Sequence, residues 1–498
     1  MAKRVTFIVL VLSALLLPAT TALSQGLYTL TAGAESRRAD ATLLREGRYM
    51  GMYDGLHCWV GAGEKHRMQV TLLDQNLEPL KSMALPESTV NCELLAATMD
   101  DGKVSMLIVD SSYNKMTLIY SSIIDLSTML PADGTMPMTR IDSLGYGRKD
   151  KCYVWGAASP NGKYLGLVAI VEYTERKQYS TIATLYNSHL QSQWSKQYAL
   201  GSMDNLCLTD DGTMVTLGHE DAGQETHFIF NILSRTISDS YDAVVQCDPI
   251  RQLKLAGIAG RKAIAVGTFT PLGSRERDNL CGGVVGMAFD IDSANITSFT
   301  MRPFQNEDMN ILLNTKTKKV QRDQWLDLIS MVGTTMTDYG AVVAVGRNYR
   351  VASKENNGTV STEFFRVGLH LVAIDTTGHV RWARNLRRND CQRKDVDLLG
   401  VNLVSFDGKV LVARSEPHRT PAIYDISNVA KKLKMGDKSS LALYTIAADG
   451  EVQKQILETK SKHSLIRSIV RRDGTLMMIT ENGRRLRLAE AKKEVSGD

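Results

Sequence analysis

The side chains that could carry out acid–base or metal chemistry are scattered along this sequence of 498 residues. Its nine histidines occur singly, and the nearest pair, His219 and His227, is separated by seven residues. Asp290 and Asp292 begin a pattern that resembles a calcium loop, but Ala294 stands where a further oxygen ligand is needed. No nucleophile elbow, zinc pair or phosphate loop occurs. The sequence therefore predicts no metal site, no cofactor and no catalytic residue.

Arginine and histidine side chains recur in the longer polar segments between apolar runs. Loops held by a rigid scaffold commonly carry binding functions, so we expect these segments to form a binding surface. The candidate binding residues are His66, Arg67, Arg275, Arg277, Arg347, Tyr349, Arg350, Arg414, His418 and Arg419.

A repeated turn indicates the scaffold that would hold these segments. Asp-Gly or Asn-Gly pairs followed by short apolar, β-branched runs supply the positive φ angles of tight hairpins. The clear copies end at Gly102, Gly162, Gly212, Gly408 and Gly474, and weaker copies end at Gly55, Gly260 and Gly340. A spacing of about 60 residues predicts an all-β fold, a β-propeller with small insertions. We predict seven blades, with six or eight as alternatives.

A second family of turns carries a family resemblance. The stretch Ala373–Trp382, Ala-Ile-Asp-Thr-Thr-Gly-His-Val-Arg-Trp, resembles the repeat of PQQ-type and WD40-like propellers of exported bacterial proteins. That resemblance implies that Trp382, and Trp194 at the same offset in another copy, pack between blades. Quinone-dependent propeller enzymes use adjacent cysteines, which are missing here. The resemblance therefore implies a fold and no activity.

The two families of turns also predict which face of the ring binds. If the Asp-Gly turns join the first and second strands of each blade, and the other turns join the third and fourth, both families lie on one rim. The polar segments between second and third strands then lie on the opposite rim, together with the candidate binding residues.

The N-terminus has the pattern of a secretory signal peptide. Lys3 and Arg4 precede an apolar run, and small residues occupy positions 22 and 24. We expect export to the periplasm or cell surface, without a membrane span. The predicted organisation is a signal peptide at 1–24, a polar leader at 25–46, a propeller at 47–488 closed by a strand from Arg48–Val60, insertions at 306–335 and 427–440, and a flexible tail at 489–498.

Charge and cysteine content limit the function classes. A net charge of +5, spread along the chain, makes nucleic acid an unexpected partner. Seven cysteines could form three disulfides or remain as buried thiols. Cys92 and Cys152 occupy equivalent positions of successive repeats and could be neighbours, whereas Cys391 is the expected odd cysteine.

Two functional hypotheses follow. The first is a non-catalytic interaction scaffold of the bacterial cell envelope that holds an envelope or outer-membrane protein or peptide on its loop-bearing rim. The alternative is a carbohydrate-active enzyme or carbohydrate-binding protein with a site at the propeller axis. That alternative requires groups such as His219, Glu220, Tyr349 and His418 to converge near the axis.

Overall fold

The fold is known from a computed structural model of the chain. It describes residues 28–63, 67–85, 91–112, 115–132, 136–147, 149–198, 203–222, 225–271, 281–312, 329–354, 360–393, 402–417, 439–471, 473–482 and 485–493. Within these ranges the backbone forms thirty-three strands and two short helices, arranged as eight antiparallel sheets. The chain is thus an all-β propeller of eight blades.

The blades follow one another along the chain, and each is named here by its strands. Blade 1 contains β2 (Arg48–Tyr53), β3 (Leu56–Ala62), β4 (Met68–Leu73) and β5 (Pro79–Ala84); blade 2 contains β6 (Cys92–Asp100), β7 (Lys103–Asp110), β8 (Met116–Asp125), the short β9 (Leu130–Pro131) and β10 (Thr139–Gly145); blade 3 contains β11 (Lys151–Ala158), β12 (Tyr164–Tyr173), β13 (Gln178–Asn187) and β14 (Ser192–Tyr198). Blade 4 contains β15 (Asn205–Leu208), β16 (Met214–Ala222), β17 (Glu225–Leu233) and β18 (Ser238–Gln246); blade 5 contains β19 (Ile250–Ala259), β20 (Lys262–Phe269), β21 (Gly283–Asp290) and β22 (Asn295–Pro303); blade 6 contains β23 (Ile329–Thr337), β24 (Gly340–Lys354), β25 (Val360–Asp375) and β26 (Val380–Arg393). Blade 7 contains β27 (Asn402–Phe406), β28 (Lys409–Pro417), β29 (Ser439–Ile446) and β30 (Val452–Ser461); blade 8 contains β31 (Ser464–Val470), β32 (Leu476–Asn482), β33 (Arg485–Lys493) and β1 (Tyr28–Ser36).

The eight turn glycines explain the number of blades. Each lies at the turn between the first and second strands of its own blade, including Gly55 and Gly260 of the weaker copies and Gly340, which is the first residue of β24. At Asp101 and Gly102 both residues have positive φ, 45° and 68°, as a type I′ turn requires. Our prediction of seven blades is therefore wrong by one, because every copy of the turn starts a complete blade.

The second family of turns joins the third and fourth strands, as expected. Asp74, Asn187 and Asp375 each use Oδ1 to accept hydrogen bonds from the backbone N–H groups two and four residues further on, at 2.8–3.0 Å. This local hydrogen bonding explains why Asp or Asn begins the turn. Both families lie on the rim that we call the turn rim. We call the opposite rim, with the connections between second and third strands and between blades, the loop rim.

Ring closure differs from the prediction. The strand that completes blade 8 is β1, which pairs antiparallel with β33 from Tyr28↔Lys493 to Ser36↔Leu486. The stretch Arg48–Val60 instead forms β2 and most of β3 in blade 1. Within the predicted polar leader, residues 28–36 accordingly form a strand and residues 41–46 a helix, and Ala489–Lys493 is a paired strand end rather than a tail. Closure covers the edge of β33 that would otherwise be unpaired.

The hydrophobic core is divided among the blade interfaces. Eight clusters of buried side chains occur, and each one joins two neighbouring blades, including blades 8 and 1. Between blades 4 and 5, for example, Phe230 and Phe289 stack with ring centroids 3.9 Å apart. Trp382, 5% exposed, joins blade 6 to blade 7 beside Gly450. The interblade position of this tryptophan is as the PQQ-like repeat implies.

Both described helices lie in connections between blades on the loop rim. Helix α1 (Ala41–Glu46) precedes blade 1, and its N-cap Asp40 accepts a hydrogen bond from the Leu43 N–H. Helix α2 (Asn306–Leu312) connects blades 5 and 6. The predicted insertion at 306–335 is thus shorter, because residues 329–335 belong to β23. Most of the insertion predicted at 427–440 lies outside the described residues.

Candidate functional site

The predicted binding residues fall into three groups. Arg67 is exposed on the loop rim of blade 1, where its carbonyl accepts a hydrogen bond from the Gly63 N–H at 3.0 Å. Arg347, Tyr349 and Arg350 lie in β24, and Arg414 lies in β28. The remaining residues, which lie outside the described part of the chain, are His66, Arg275, Arg277, His418 and Arg419.

Arg414 occupies a different environment from the one expected. It is 4% exposed, and its guanidinium lies 4.3 Å from the centroid of the Tyr444 ring and donates a hydrogen bond to the Tyr444 hydroxyl. β28 continues to Pro417, so position 414 lies inside a strand and not in a loop. This arginine therefore packs within blade 7 and is not presented on the surface.

Blade 6 contains the most unusual feature of the loop rim. Strands β24, β25 and β26 have 15, 16 and 14 residues, whereas the second strands of the other blades have 7 to 10. Pairing between β23 and β24 ends at Arg347, but β24 stays paired with β25 as far as Lys354↔Val360. At about 3.3 Å per residue, the extra seven residues carry the sheet about 23 Å beyond the ring.

We call this three-stranded extension the blade 6 projection, defined as residues 347–354, 360–367 and 387–393. The polar segment that contains Arg347, Tyr349 and Arg350 is thus part of a strand and not a loop, because hairpin pairing with β25 continues past the ring. Outside the ring, the edges of β24 and β26 have no strand partner among the described residues. Unpaired edges of this kind can accept an added strand from another chain.

The charge of the projection is as distinctive as its length. It contains seven basic and only two acidic residues, a formal net charge of +5 that equals the net charge of the full chain. The basic residues are Arg347, Arg350, Lys354, Arg366, Arg387, Arg388 and Arg393, and the acidic residues are Glu363 and Asp390. The other residues of the chain include equal numbers of basic and acidic side chains, so the net charge is not spread evenly along the sequence as we expected.

Helix α2 packs against the base of the projection. Gly368 in β25 allows this approach, because a Cβ atom at that position would lie 2.3 Å from the Ile311 carbonyl oxygen. The buried carboxylate of Asp308 accepts hydrogen bonds from Arg302 at 3.0 Å and from the Asn385 side chain at 2.9 Å. The helix is thereby joined to the last strand of blade 5 and to the strands that form the projection.

His370 completes this buried network. Its Nε2 lies 2.7 Å from Arg302 Nη1, and its Nδ1 lies 2.7 Å from Asn385 Oδ1. A guanidinium only donates, so Nε2 must accept and the ring proton must be on Nδ1. Burial lowers the pKa of His370, which agrees with a neutral ring. The network of Arg302, Asp308, His370 and Asn385 thus holds α2 in place.

The histidine and carboxylate nearest to the requirements of the enzyme hypothesis are in blade 4. His219 Nδ1 lies 2.6 Å from Asp204 Oδ2 on the loop rim. Burial lowers the pKa of His219, but the hydrogen bond and charge of Asp204 outweigh it, and the net shift is upward. Glu220 points to the opposite face of β16, because successive strand residues alternate. His418 lies outside the described residues, so the expected convergence of these groups near the axis stays a prediction.

The described cysteines are thiols rather than disulfides. Cys58, Cys152, Cys207, Cys247 and Cys281 are unbridged, and burial raises the pKa of Cys58 to about 12 and of Cys281 to about 11. Cys92 is buried in β6, equivalent to the position of Cys152 in β11. Among the described residues, no group of three or more potential ligands is placed to hold a metal ion. Neither described helix has the length and apolarity required to cross a bilayer.

Comparison with known proteins finds similar solved structures but no family for this chain. It matches no protein-family model and no curated protein sequence. Similar solved structures include the WD40 domain of SCAP from fission yeast, with 7% identity, 94% of this chain and 98% of that chain covered, and a TM-score of 0.39. The polysaccharide lyase Uly1 has 10% identity and a TM-score of 0.35, and the match covers 80% of this chain and 90% of that chain. The β-propeller domain of the Trilobed protease from Pyrococcus furiosus has 13% identity and a TM-score of 0.24, and the match covers 69% of this chain and 95% of that chain.

Proposed function

We propose that this protein is an exported, non-catalytic interaction scaffold of the bacterial cell envelope, in the periplasm or at the cell surface. Its partner is an acidic segment of an envelope or outer-membrane protein, which docks on the loop rim at blade 6. The β-propeller often serves as a protein-interaction scaffold, although it also occurs in enzymes. The signal-peptide pattern of residues 1–24 supports export.

The observation that carries the proposal is the blade 6 projection. Its strand edges offer backbone donors and acceptors to an added strand, and its charge of +5 attracts an acidic partner. Electrostatic complementarity of this kind raises association rates and selects partners by charge. Salt screens exposed charges, so binding should weaken as ionic strength rises.

The test combines capture with site-specific cross-linking. The tagged protein is used to capture partners from detergent-solubilised envelopes, and a photo-reactive amino acid at Tyr349 identifies the peptide that touches the projection. We expect one stoichiometric partner, cross-linked through an acidic segment and released by high salt. A photo-reactive residue at Lys163, on the turn rim, is the matched position and should not cross-link to that partner.

A pair of charge-reversal variants separates the projection from net charge. Arg350→Glu with Arg388→Glu changes the projection, and Lys163→Glu with Lys262→Glu makes the same change in charge on the turn rim. We expect the first variant to lose the partner and the second to retain it. Equal recovery by both variants, or cross-linking only from the turn rim, would refute the proposal.

A further inference from the structure

Blade 3 carries a second, chemically different surface on the loop rim. The hairpin between β12 and β13 and the end of β14 surround an open depression of about 560 Å³. This volume falls within the range of small-molecule sites. Its lining includes Tyr173, Arg176, Gln178, Tyr179, Gln197 and Tyr198.

The aromatic rings of this depression are available to a ligand. Tyr179 is 37% exposed, and the nearby Tyr153 is 42% exposed and stacks on Trp155 with ring centroids 5.9 Å apart. The face of an aromatic ring carries partial negative charge, which favours contact with the polarised C–H groups of a sugar ring. Tyr153 in the first strand and Tyr179 in the third lie on the same face of the blade, with β12 between them.

The polar groups near Tyr179 can form hydrogen bonds with the hydroxyl groups of a ligand. Gln197 Nε2 donates to Ser180 Oγ at 3.0 Å, which fixes the orientation of its amide. The Tyr198 hydroxyl is buried without a hydrogen-bond partner among the described residues. A buried hydroxyl of this kind is costly unless a ligand or water satisfies it. The side chains of Gln178 and Arg176 add further donors at the edge of the depression.

The surroundings of the depression argue against a peptide and against a nucleic-acid strand as its ligand. The lining contains no aliphatic side chain, so it offers no pocket for the apolar anchors of a peptide. The neighbouring lysines are paired with acids, Lys149 with Glu175 at 3.0 Å and Lys151 with Glu172 at 3.7 Å. A nucleic-acid strand would require several positive charges along its path, whereas Arg176 is the one cation in the lining.

We propose that the depression of blade 3 binds a neutral oligosaccharide around the end of β14, with one sugar ring on Tyr179, a hydroxyl group on Tyr198, and further hydroxyl groups on Gln178 and Gln197, whose side chains lie on the opposite face of the sheet. This site is separate from the blade 6 projection and does not depend on the proposed function. A protein that binds both ligands would hold its protein partner next to a polysaccharide.

The experiment is calorimetric titration of the full mature chain with chitohexaose, cellohexaose and maltohexaose, and with polyuridylate as the charged comparison. We expect one neutral hexasaccharide to bind. Tyr179→Ala should weaken its binding about tenfold, whereas Tyr179→Phe, which keeps the ring, should bind within about threefold of the native chain. Tyr198→Phe should weaken binding without lowering the unfolding midpoint, because it removes a hydroxyl that is unsatisfied in the free protein.

Three results would overturn the proposal. These are no binding of any hexasaccharide, native affinity in Tyr179→Ala, and salt-sensitive binding of polyuridylate alone. The variant Arg350→Glu with Arg388→Glu serves as the control, and it should bind the sugar with native affinity. Failure of the partner capture would leave this control unchanged, so the two proposals can fail independently.

Discussion

Replacing Asp308 by alanine should destabilise the protein by about 3 kcal/mol, the lower end of the cost of breaking a buried ion pair. The Asp308 side chain is 4% exposed, and it is the acceptor for Arg302, for the Asn385 amide and for the Gln305 backbone N–H. Arg302 is 18% exposed, so water can solvate part of the guanidinium once the carboxylate is gone. That residual exposure is the reason for choosing the lower value.

The assay is equilibrium unfolding in urea, followed by far-ultraviolet circular dichroism and by tryptophan fluorescence. Glu307→Ala is the matched control, because Glu307 lies in the same turn of the same helix but is exposed. We expect that control to change the free energy of unfolding by less than about 0.5 kcal/mol.

A double variant tests whether the loss comes from an uncompensated charge. Replacing Arg302 by methionine in the Asp308→Ala background removes the unpaired guanidinium. The double variant should then be more stable than the sum of the two single changes predicts, by about 1 kcal/mol or more. A cost for Asp308→Ala equal to that of Glu307→Ala, or strict additivity in the double variant, would refute the network as a source of stability.

Three further outcomes follow from the described contacts. Because burial lowers the pKa of His370, the neutral ring contributes fully to stability above about pH 6.5, and this contribution is lost as the pH falls. The variant His370→Gln should therefore show a smaller slope of unfolding free energy against pH below about pH 6.5, by up to about 1.4 kcal/mol per pH unit. Gly368→Ala should destabilise the chain by about 1–3 kcal/mol in urea unfolding, since the new methyl group would meet the Ile311 carbonyl; a neutral result would mean that α2 does not pack there as described. Cys58 and Cys281 should resist alkylation at about pH 8 until the chain is unfolded, as peptide mass spectrometry would show, and modification of the folded protein would contradict their burial.

The sequence was informative wherever local backbone geometry depends on residue type. A turn with positive φ needs glycine or a short polar side chain, so Gly102 and its counterparts could be found without coordinates. The closing strand gave no such signal. Along β1 only its end residues, Tyr28 and Ser36, are buried, so it lacks the alternation by which a half-buried strand is recognised.

The candidate site was harder to predict for a related reason. Residues 347–354 of the blade 6 projection, Arg-Asn-Tyr-Arg-Val-Ala-Ser-Lys, have the composition of a polar loop although they form part of β24. The buried network presents the opposite difficulty, since Asp308 and His370 are 62 positions apart and meet only through the register of blade 6. Neither residue belongs to a recognisable sequence pattern.

The hydrophobic core of the ring is divided among eight interfaces between neighbouring blades. Each cluster stabilises the contact between two neighbouring blades, and the residues of blade 6 in these clusters precede Arg347 in β24 and follow Gly368 in β25. The described core of blade 6 thus lies within the ring, in β24 up to Val345 and in β25 from Leu369. Arg350→Glu with Arg388→Glu should accordingly shift the unfolding free energy by less than about 0.5 kcal/mol while abolishing capture of the partner. A larger loss of stability would mean that the projection supports the ring, and that loss of binding in this variant reports unfolding rather than recognition.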